Sequence, residues 1–474
     1  MTVPDNTTSA TDATTGTIPN AIYELTPADG NPASRANMPF VYFYSLPSAQ
    51  QTPDLRNKLR ESYYQVMQHY PILYGKIERQ PVPGSCDKAR IIVDDETKIK
   101  LAPVYDEYEI HDILIKDIRE ANYNWSKWPQ QILDISAVRH NGASELPLSQ
   151  CVITWHPDGV GILFSVDHSV SDGAGMATLF NQWASIMRTG ELALPVDFDR
   201  MSMYQQIANV KPDTQNWFVK HVNAIDLNKV AGQSEAIIDS SPLSPQQIEQ
   251  GLRQNVHAMR VTAEALERLR ADSNHGVAPG ANKASMIYLA YALFWQRYIV
   301  ALQKTRGADD QSDACLLNLV YGTRDMVDRP YLIGNAASSL YMQQTRDKLG
   351  KETLRNLAID IGQDLQTRTK ALWVAVLEML RDPVTYLKFI SVFGNPHAMQ
   401  LTISNISKLT FYDADFGFGR PEHITVFPVL IPGFTVWHPL SHEGGLHIIW
   451  NLSHDVLAQL SADEQFTKYV DILF

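Results

Sequence analysis

Ser165-Val-Asp-His-Ser-Val-Ser-Asp-Gly-Ala-Gly175 is the stretch in which a strand-like segment turns into a helical one. The apolar run that leads into it predicts a strand that delivers His168 to the turn. Asp172 follows four residues later, where Gly173 and Gly175 permit a tight or strained backbone. An imidazole at a strand end can take a proton near neutral pH, so His168 is either a general base or a satisfied structural histidine.

The segments beside this stretch predict a hairpin followed by a helix. Residues 151–155 and 160–166 are β-branched and apolar, and a Pro-Asp-Gly turn at 157–159 separates them. The helix begins at Gly175 or its successor and runs to residue 188, and Gly190 is its expected stop. The alternation of strand and helix patterns along the chain indicates mixed α and β structure.

Further helices are predicted from apolar spacing. Residues 54–69 carry apolar side chains at intervals of three and four, residues 283–301 form a buried aromatic helix, and residues 351–380 read as one long helix. Between about residues 194 and 255 the periodicity fades, most visibly in Asp239-Ser-Ser-Pro-Leu-Ser-Pro245, so a crossover between two halves is expected there.

Composition excludes several classes of protein. The chain has 474 residues, 45% of them hydrophobic and 19% charged, which is the balance of a large globular protein rather than a disordered one. Its formal net charge of −12 repels phosphate backbones and anionic lipids, so no nucleic-acid partner is expected. Its longest apolar runs are too short for a membrane span.

Cysteine usage and the first residues indicate a cytoplasmic protein. Cys86, Cys151 and Cys315 are far apart and fit neither a metal motif nor a disulfide framework, so a reducing compartment is expected. Residues 1–20 are rich in Thr, Ser, Asn and Ala and contain no Lys or Arg, which indicates a disordered tail rather than a targeting peptide.

A second informative stretch is Tyr412-Asp-Ala-Asp-Phe-Gly-Phe-Gly-Arg-Pro421, in which two glycines flank an aromatic residue. By itself it predicts only a sharply folded loop. Together with the first stretch it forms an ordered pair, HxxxDG from His168 and DFGxG from Asp415, and this pair resembles the signatures of the BAHD acyltransferases. The HxxxDG pattern alone is less specific, because peptide-synthetase condensation domains share it.

Weaker similarities to this family extend over most of the chain. They are Leu25-Thr-Pro-Ala-Asp29, Tyr70-Pro-Ile-Leu-Tyr-Gly-Lys76, Ser285 to Trp295, Gly322-Thr-Arg324 and Gly334-Asn335. The resemblance implies two chloramphenicol-acetyltransferase-like α/β domains with mixed sheets and an active-site channel between them. We expect a tail at 1–20, an N-terminal domain at 21–195, a linker at 196–255 and a C-terminal domain at 256–474.

The resemblance also implies roles for individual residues. His168 is the expected general base, and Asp172 is the expected structural aspartate beside Gly173. Asp172 would point away from the site and pair with an arginine, for which Arg324 is the candidate. Ser404 is the candidate for binding the acyl carbonyl oxygen.

The DFGxG loop, with Asp415, Phe416, Gly417 and Gly419, is expected to shape the fold near the CoA channel. A second proton-accepting role for Asp415 is the less favoured alternative.

Departures from the family pattern concern the acceptor rather than catalysis. Asp167 replaces a frequent histidine, Ile406 replaces a tryptophan common in plant members, and Phe418 replaces the tryptophan of the motif. These changes weaken any inference of this protein's acceptor from the acceptors of plant members of the family.

The resulting expectation is transfer of an acyl group from acyl-CoA to an alcohol, or less favourably an amine, of a small specialised metabolite, without an acyl-enzyme. The protein is expected to be monomeric and to bind no permanent cofactor or metal. His438, His442 and His447 have the wrong spacing for a zinc helix and read as turn and strand positions. Two alternatives stay open: a condensation-like enzyme acting on carrier-tethered substrates, and a degenerate ligand-binding protein.

Overall fold

The computed structural model describes residues 18–30, 37–82, 85–136, 146–226, 255–278, 283–306, 313–392, 399–426 and 433–474. The predicted tail up to residue 17 lies outside the described residues. Residues 227–254 of the predicted linker, which include the segment Asp239 to Pro245, also lie outside them, whereas residues 196–226 of the linker are described and contain two short helices.

The first half alternates strands with helices, of which those at residues 53–68 and 173–189 are the longest. Its strands are β1 (Ala21–Glu24), β2 (Asn37–Ser45), β3 (Lys76–Val82), β4 (Ser85–Val93), β5 (Val104–Glu109), β6 (Ser149–His156) and β7 (Gly159–Asp167). Its helices are α1 (Pro27–Gly30), α2 (Pro53–Gln68), α3 (Asp95–Lys100), α4 (Ile115–Glu120), α5 (Gln130–Ser136), α6 (Gly173–Thr189), α7 (Arg200–Gln205) and α8 (Trp217–Ala224).

The second half has longer helices. Its strands are β8 (Val256–Val261), β9 (Ala314–Gly322), β10 (Ala337–Thr345), β11 (Met399–Asn405), β12 (His423–Val426), β13 (Phe434–Ser441), β14 (Gly444–Asn451) and β15 (Asp471–Ile472). Its helices are α9 (Ala263–Ser273), α10 (Met286–Arg306), α11 (Arg346–Lys351), α12 (Leu354–Gln366), α13 (Lys370–Arg381), α14 (Pro383–Val392), α15 (His454–Ser461) and α16 (Glu464–Thr467).

Two mixed sheets dominate the described residues. The order of the smaller is β12-β2-β7-β6-β5, and that of the larger is β10-β9-β11-β13-β14-β8-β15, while β1, β4 and β3 form a third sheet. Strand β5 runs parallel to β6, and β11 runs parallel to both β9 and β13. The predicted α/β class with mixed sheets is therefore confirmed. Strand β12 belongs to the second half of the sequence but completes the sheet of the first.

One face of the smaller sheet packs against α2 and α6, and its other face packs against α4, α5 and part of the larger sheet. Val41 and Phe43 of β2 share a buried cluster with Ala258 and Ile449 of the larger sheet. Residues of β2 on the opposite face join the cluster that includes α6. Because successive side chains of a strand point to opposite faces, the sheet that contains β2 and its neighbour β7 lies between α6 and the larger sheet.

Helix α6 begins two to three residues earlier than its apolar pattern predicts. Asp172 is its N-cap and accepts hydrogen bonds from the backbone N–H groups of Ala174 and Gly175. Gly190 ends the helix in the left-handed conformation, with φ 79°. The aspartate of the HxxxDG motif thus caps the helix that begins with the glycine of the same motif.

The single helix predicted over residues 351–380 is wrong. The helix α11 ends at residue 351, and two separate helices, α12 and α13, follow it there. The side chain of Thr353 accepts from the N–H of Asn356, and that of Thr369 accepts from the N–H of Leu372. Each threonine caps a new helix, so side-chain capping interrupts an apolar pattern that seems continuous in sequence.

None of the helices in the described ranges combines the length and the apolar composition that a membrane span needs.

Candidate active site

His168 follows β7 directly and lies half-buried at the start of the turn. Its backbone carbonyl accepts a hydrogen bond from Asn335 Nδ2 at 2.6 Å. Among the described residues its Nδ1 is buried and makes no hydrogen bond. Asp167, the residue before it, is fully buried, and burial raises the pKa of Asp167 to about 6 although bonds from Ser169 lower it. His168 therefore leaves the strand directly after a buried carboxyl group whose pKa is raised by burial.

Asp172 is held by five hydrogen bonds, two of them from Arg324. Arg324 Nη1 donates to Oδ2 at 2.8 Å and Nη2 donates to Oδ1 at 2.7 Å, and both side chains are nearly buried. The N–H of Ala336 donates to Oδ2 at 3.0 Å, in addition to the two N–H groups of α6. This bidentate pair joins residues from opposite halves of the chain.

The charge state of Asp172 follows from these contacts. Burial raises the pKa of Asp172, but the charge and hydrogen bonds of Arg324 and the backbone N–H groups outweigh it, so the pKa lies below its usual value. Asp172 is thus an ionised brace whose oxygens are already occupied.

Close packing explains the glycine at 175, whereas a Cβ at 173 would make only ordinary contacts, and neither glycine relieves the strained backbone that the sequence predicts. Neither has a positive φ. A Cβ on Gly175 would lie 2.2 Å from Ser171 Oγ and 3.4 Å from the Cα of Ile333. A Cβ on Gly173 would lie 3.4 Å from Ile406 Cγ2. Gly175 thus lets the start of α6 pack closely against Ser171 and a loop of the second half.

The DFGxG loop is built around the carboxylate of Asp415. Its Oδ1 accepts from the N–H of Gly417 at 2.7 Å and from the N–H of Gly419 at 3.0 Å. Gly417 and Gly419 have φ values of 96° and 101°, a region that L side chains rarely adopt. The carboxylate therefore bonds within its own loop.

Phe416 anchors this loop to the far part of α6. It is buried, with its ring centroid 4.7 Å from that of Trp183 and 5.3 Å from that of Phe180. At 1.5 Å per residue these partners lie about 10–15 Å along the helix from its first residue. Phe418 packs edge-on against Tyr44 at 5.2 Å. The loop thus lies away from the helix end that follows His168.

Ser404 is half-buried near the end of β11, where its backbone pairs with Val320 and Val436. Two residues later, Ile406 packs beside Gly173. The strand register therefore brings Ser404 toward the start of α6, where the HxxxDG loop ends.

A surface groove of about 410 Å³ opens next to this point, and sequence reasoning did not find it. Leu409 lines the groove and would also be 3.5 Å from a Cβ on Gly173, so one wall residue of the groove packs beside the start of α6. Its walls also carry Lys408, Arg420 and His442, together with one acidic side chain, Asp413, whose Oδ1 lies 3.8 Å from Arg420 Nη2. These residues come from two separate loops, so no local sequence pattern could mark them.

Three histidines form a buried cluster that the sequence indicates only in part. His438 and His447 lie on adjacent strands with His447 Nδ1 3.0 Å from His438 Nε2, and His423 of β12 stands 4.8 Å from His447 between ring centroids. His442 is in the exposed turn, and no cluster suited to a metal ion occurs among the described residues. His423 joins the cluster only because β12 crosses to the other sheet.

Protonation of this cluster is unfavourable in the folded protein. Burial lowers the pKa of His447 to about 3, with a smaller effect from Arg260. Burial and the neighbouring imidazoles lower the pKa values of His423 and His438 well below 6.5. Because the folded-state pKa values are depressed, the cluster's contribution to stability is complete above about pH 6.5 and is lost as the pH falls below it.

Replacing His447 with glutamine should make the protein less sensitive to acid. Each buried histidine costs about 1.4 kcal/mol of unfolding free energy per pH unit below its unfolded pKa, so H447Q should flatten the dependence by about that slope between pH 6 and pH 4.5. Urea unfolding across this range measures the slope. H442Q, in the exposed turn, should retain the wild-type slope, and an unchanged slope in H447Q would contradict the assignment.

Solved structures of other proteins share this fold. TRI101 of F. sporotrichioides in complex with coenzyme A and T-2 matches with a TM-score of 0.69 and 17% identity, over 95% of this chain and 100% of that chain. Vinorine synthase matches with a TM-score of 0.62 and 16% identity, over 95% of this chain and 94% of that chain. At these identities the likeness shows a shared fold.

Sequence comparison identifies the family. Stemmadenine O-acetyltransferase of Catharanthus roseus is 20% identical over 322 residues, which are 67% of this chain and 65% of that relative. The match thus spans just under two thirds of the relative's length. The Transferase family profile matches residues 112–465. The chain belongs to the Transferase family, the BAHD acyltransferases, and the resemblance seen in the two motifs is confirmed.

Proposed function

We propose that this protein transfers an acyl group from acyl-CoA to a hydroxyl group of a small specialised metabolite, with His168 as the general base. The proposal rests on one observation: His168 stands at the end of β7, next to a loop that the buried Asp172–Arg324 pair holds in place. In addition, His168 Nδ1 makes no hydrogen bond within the described residues.

The reaction needs one base and no covalent intermediate on the protein. Nδ1 is enclosed, so Nε2 of His168 accepts the proton of the acceptor hydroxyl as the oxygen attacks the thioester carbonyl. The tetrahedral intermediate then collapses, the carbon–sulfur bond breaks, and the imidazolium returns the proton to the departing CoA thiolate. His168 is thereby restored as a base, and the two products of the reaction are the ester and CoA.

The other site residues hold the reactants and the fold. Ser404 is the proposed hydroxyl donor to the oxyanion, a contact typically worth about 3–4 kcal/mol in the transition state; the packing of Ile406, two residues later, beside Gly173 supports this role. Asp415 has a structural role in the proposal, since both of its bonds to Gly417 and Gly419 stay within its own loop.

The basic groove is our proposed route for the donor. CoA carries three phosphate groups, and Lys408, Arg420 and His442 would face them where the groove opens to solvent. The groove also borders the first turn of α10, at Met286 and Ile287, where the positive end of a helix dipole favours anions. TRI101 complexes that contain coenzyme A support a CoA donor for this fold.

Reversing one charge in the groove should weaken donor binding without changing the chemistry. K408E should raise KM for acyl-CoA by about 5- to 10-fold at low salt while kcat stays the same, because the lost interaction is equal in the ground and transition states. Initial rates at two salt concentrations measure both parameters. K116E, on the exposed face of α4, is the matched control, and an unchanged KM in K408E would exclude the groove.

The acceptor belongs to the class of small alcohols, with amines as a less favoured variant. TRI101 has been captured with T-2, and stemmadenine O-acetyltransferase is named for transfer to an oxygen atom, which supports a small-molecule alcohol as acceptor here. The proposal includes the cytoplasmic location and monomeric state that the sequence predicts. Size-exclusion chromatography with light scattering tests the latter.

The decisive experiment is a thiol-release assay with acetyl-, malonyl-, long-chain and aromatic CoA thioesters against pooled alcohols and amines. We expect CoA release that requires both a thioester and an acceptor, and an ester product detected by mass spectrometry. Release without acceptor would indicate hydrolysis only. Transfer from carrier-bound acyl groups but not from free CoA would favour the condensation-like alternative, and CoA binding without transfer to any acceptor would favour a degenerate protein.

A further inference from the structure

Behind His168 lies a buried network of charged and polar side chains that the proposed reaction does not use. Asp29 has no exposed surface and Arg200 is 2% exposed, and Arg200 Nη1 lies 3.4 Å from Asp29 Oδ1. Buried charges of this kind are costly unless each is paired and hydrogen-bonded. Asp29 comes from α1, and Arg200 begins α7, so neither belongs to the HxxxDG motif.

Arg200 bonds the backbone on both sides of the junction between the two halves. Its Nη1 donates to the carbonyl of Ser169 at 3.1 Å, and its Nη2 donates to the carbonyls of Val170 at 3.1 Å and Ile333 at 3.2 Å. Ser169 and Val170 are the two residues that follow His168. A planar guanidinium can serve several carbonyls at once because its donors are arranged as a rigid fork.

Asn335 completes the network from the other half. Its Nδ2 donates to the carbonyl of His168 at 2.6 Å and to Asp29 Oδ1 at 2.9 Å, and its backbone N–H donates to the same oxygen at 2.9 Å. Both partners of Nδ2 are acceptors, which fixes the orientation of the amide. Asp29 in turn accepts from the hydroxyl of Thr26 at 2.6 Å. Every carbonyl from His168 to Val170 is therefore bound by this network.

We infer that Arg200 and Asn335 are positioning residues that set the location of the His168 imidazole. The Asp172–Arg324 pair holds the far end of the loop, and the Asp29–Arg200–Asn335 network holds the near end. The inference rests on the proposed role of His168 as the base. Removing either Arg200 or Asn335 leaves the imidazole itself unchanged, but it removes hydrogen bonds that hold the backbone carrying the imidazole.

The expected result is a loss in kcat with little change in donor binding. N335A should lower kcat about 10- to 100-fold, because a displacement of about 1 Å at a catalytic group can cost 10²-fold, and KM for acyl-CoA should change by less than about twofold. R200K keeps the charge beside Asp29 but cannot reach three carbonyls, so it should show a smaller loss in the same direction.

The matched control is R297K, which alters the nearly buried Arg297–Asp463 pair on the outer helical layer. This variant can lower the melting temperature but should leave kcat unchanged. Hydrogen exchange followed by mass spectrometry provides a readout without activity. Exchange of the amides of residues 168–171 should increase in N335A and R200K but not in R297K.

The outcomes separate this inference from the proposed function. Wild-type protein without transferase activity would overturn the proposed function, and the exchange data would then still test whether the network holds the loop. Folded N335A with wild-type kcat, or loop exchange that does not differ from that of R297K, would overturn the positioning role. A loss of kcat in proportion to melting temperature across all three variants would also overturn it.

Discussion

Replacing His168 with alanine should lower kcat for acyl transfer by about 10²- to 10⁴-fold, the usual contribution of a positioned general base. KM for acyl-CoA should change little, because the proposed donor contacts lie in the groove around Lys408. The variant should remain folded, since within the described residues the His168 ring nitrogen Nδ1 makes no hydrogen bond that would be lost. Thiol release gives the rates, and circular dichroism gives the melting temperature.

Two further variants make this result interpretable. H69A replaces an exposed histidine after α2 and should keep wild-type rates. D415N can still accept the two bonds from its loop, so kcat should fall by no more than about threefold if His168 alone carries the proton. Equal losses in H168A and D415N would instead favour Asp415 as a second proton acceptor. Wild-type activity in H168A would refute the proposed mechanism.

Replacing Arg324 with methionine should reduce the free energy of unfolding by about 3–5 kcal/mol, because it leaves the ionised Asp172 buried without its partner. The loss should also abolish activity, since Asp172 caps α6 and joins the HxxxDG loop to residue 336. Urea unfolding at pH 7 measures the effect. The charge-free double variant D172N/R324M should recover part of this loss, which a double-mutant cycle quantifies.

An exposed ion pair is the comparison for this prediction. Arg270 and Glu267 form an exposed pair on α9, and R270M should cost no more than about 1 kcal/mol. If R324M cost no more than R270M, the Asp172–Arg324 pair would not be the brace between the two halves. A greater loss in D172N/R324M than in R324M would also contradict the argument, since the unpaired charge is its cause.

Individual strands and helices were predictable where the spacing of apolar residues along the segment determines its structure. The hairpin of β6 and β7 and the helix α2 appear where the apolar patterns place them, because strand and helix periods depend on residues only a few positions apart. The interval 351–380 failed for the opposite reason. Thr353 and Thr369 each cap a helix, and a cap consists of one hydrogen bond that apolar spacing does not reveal.

The candidate site was predictable through its motifs but not through its contacts. His168 and Asp172 are only four residues apart in the sequence. The family resemblance, rather than any local pattern, suggested Arg324 as the partner of Asp172. Arg200 carries no signal in a single sequence, because its role depends on three carbonyls that the fold brings to it. The same holds for the groove, whose basic residues lie on separate loops.

By itself the sequence determined the alternation of strands and helices, the acidic net charge and the ordered pair of motifs that assigns the family. Only the tertiary structure decided that β12 completes the first sheet, that His423 meets His438 and His447, and that Asp29, Arg200 and Asn335 surround the backbone of His168. The physical reason is range. Periodicity and capping depend on residues only a few positions apart, whereas buried polar groups find partners hundreds of residues away in the sequence. Such pairs form only after the sheets have packed and excluded water, because buried polar groups can then bond only to one another.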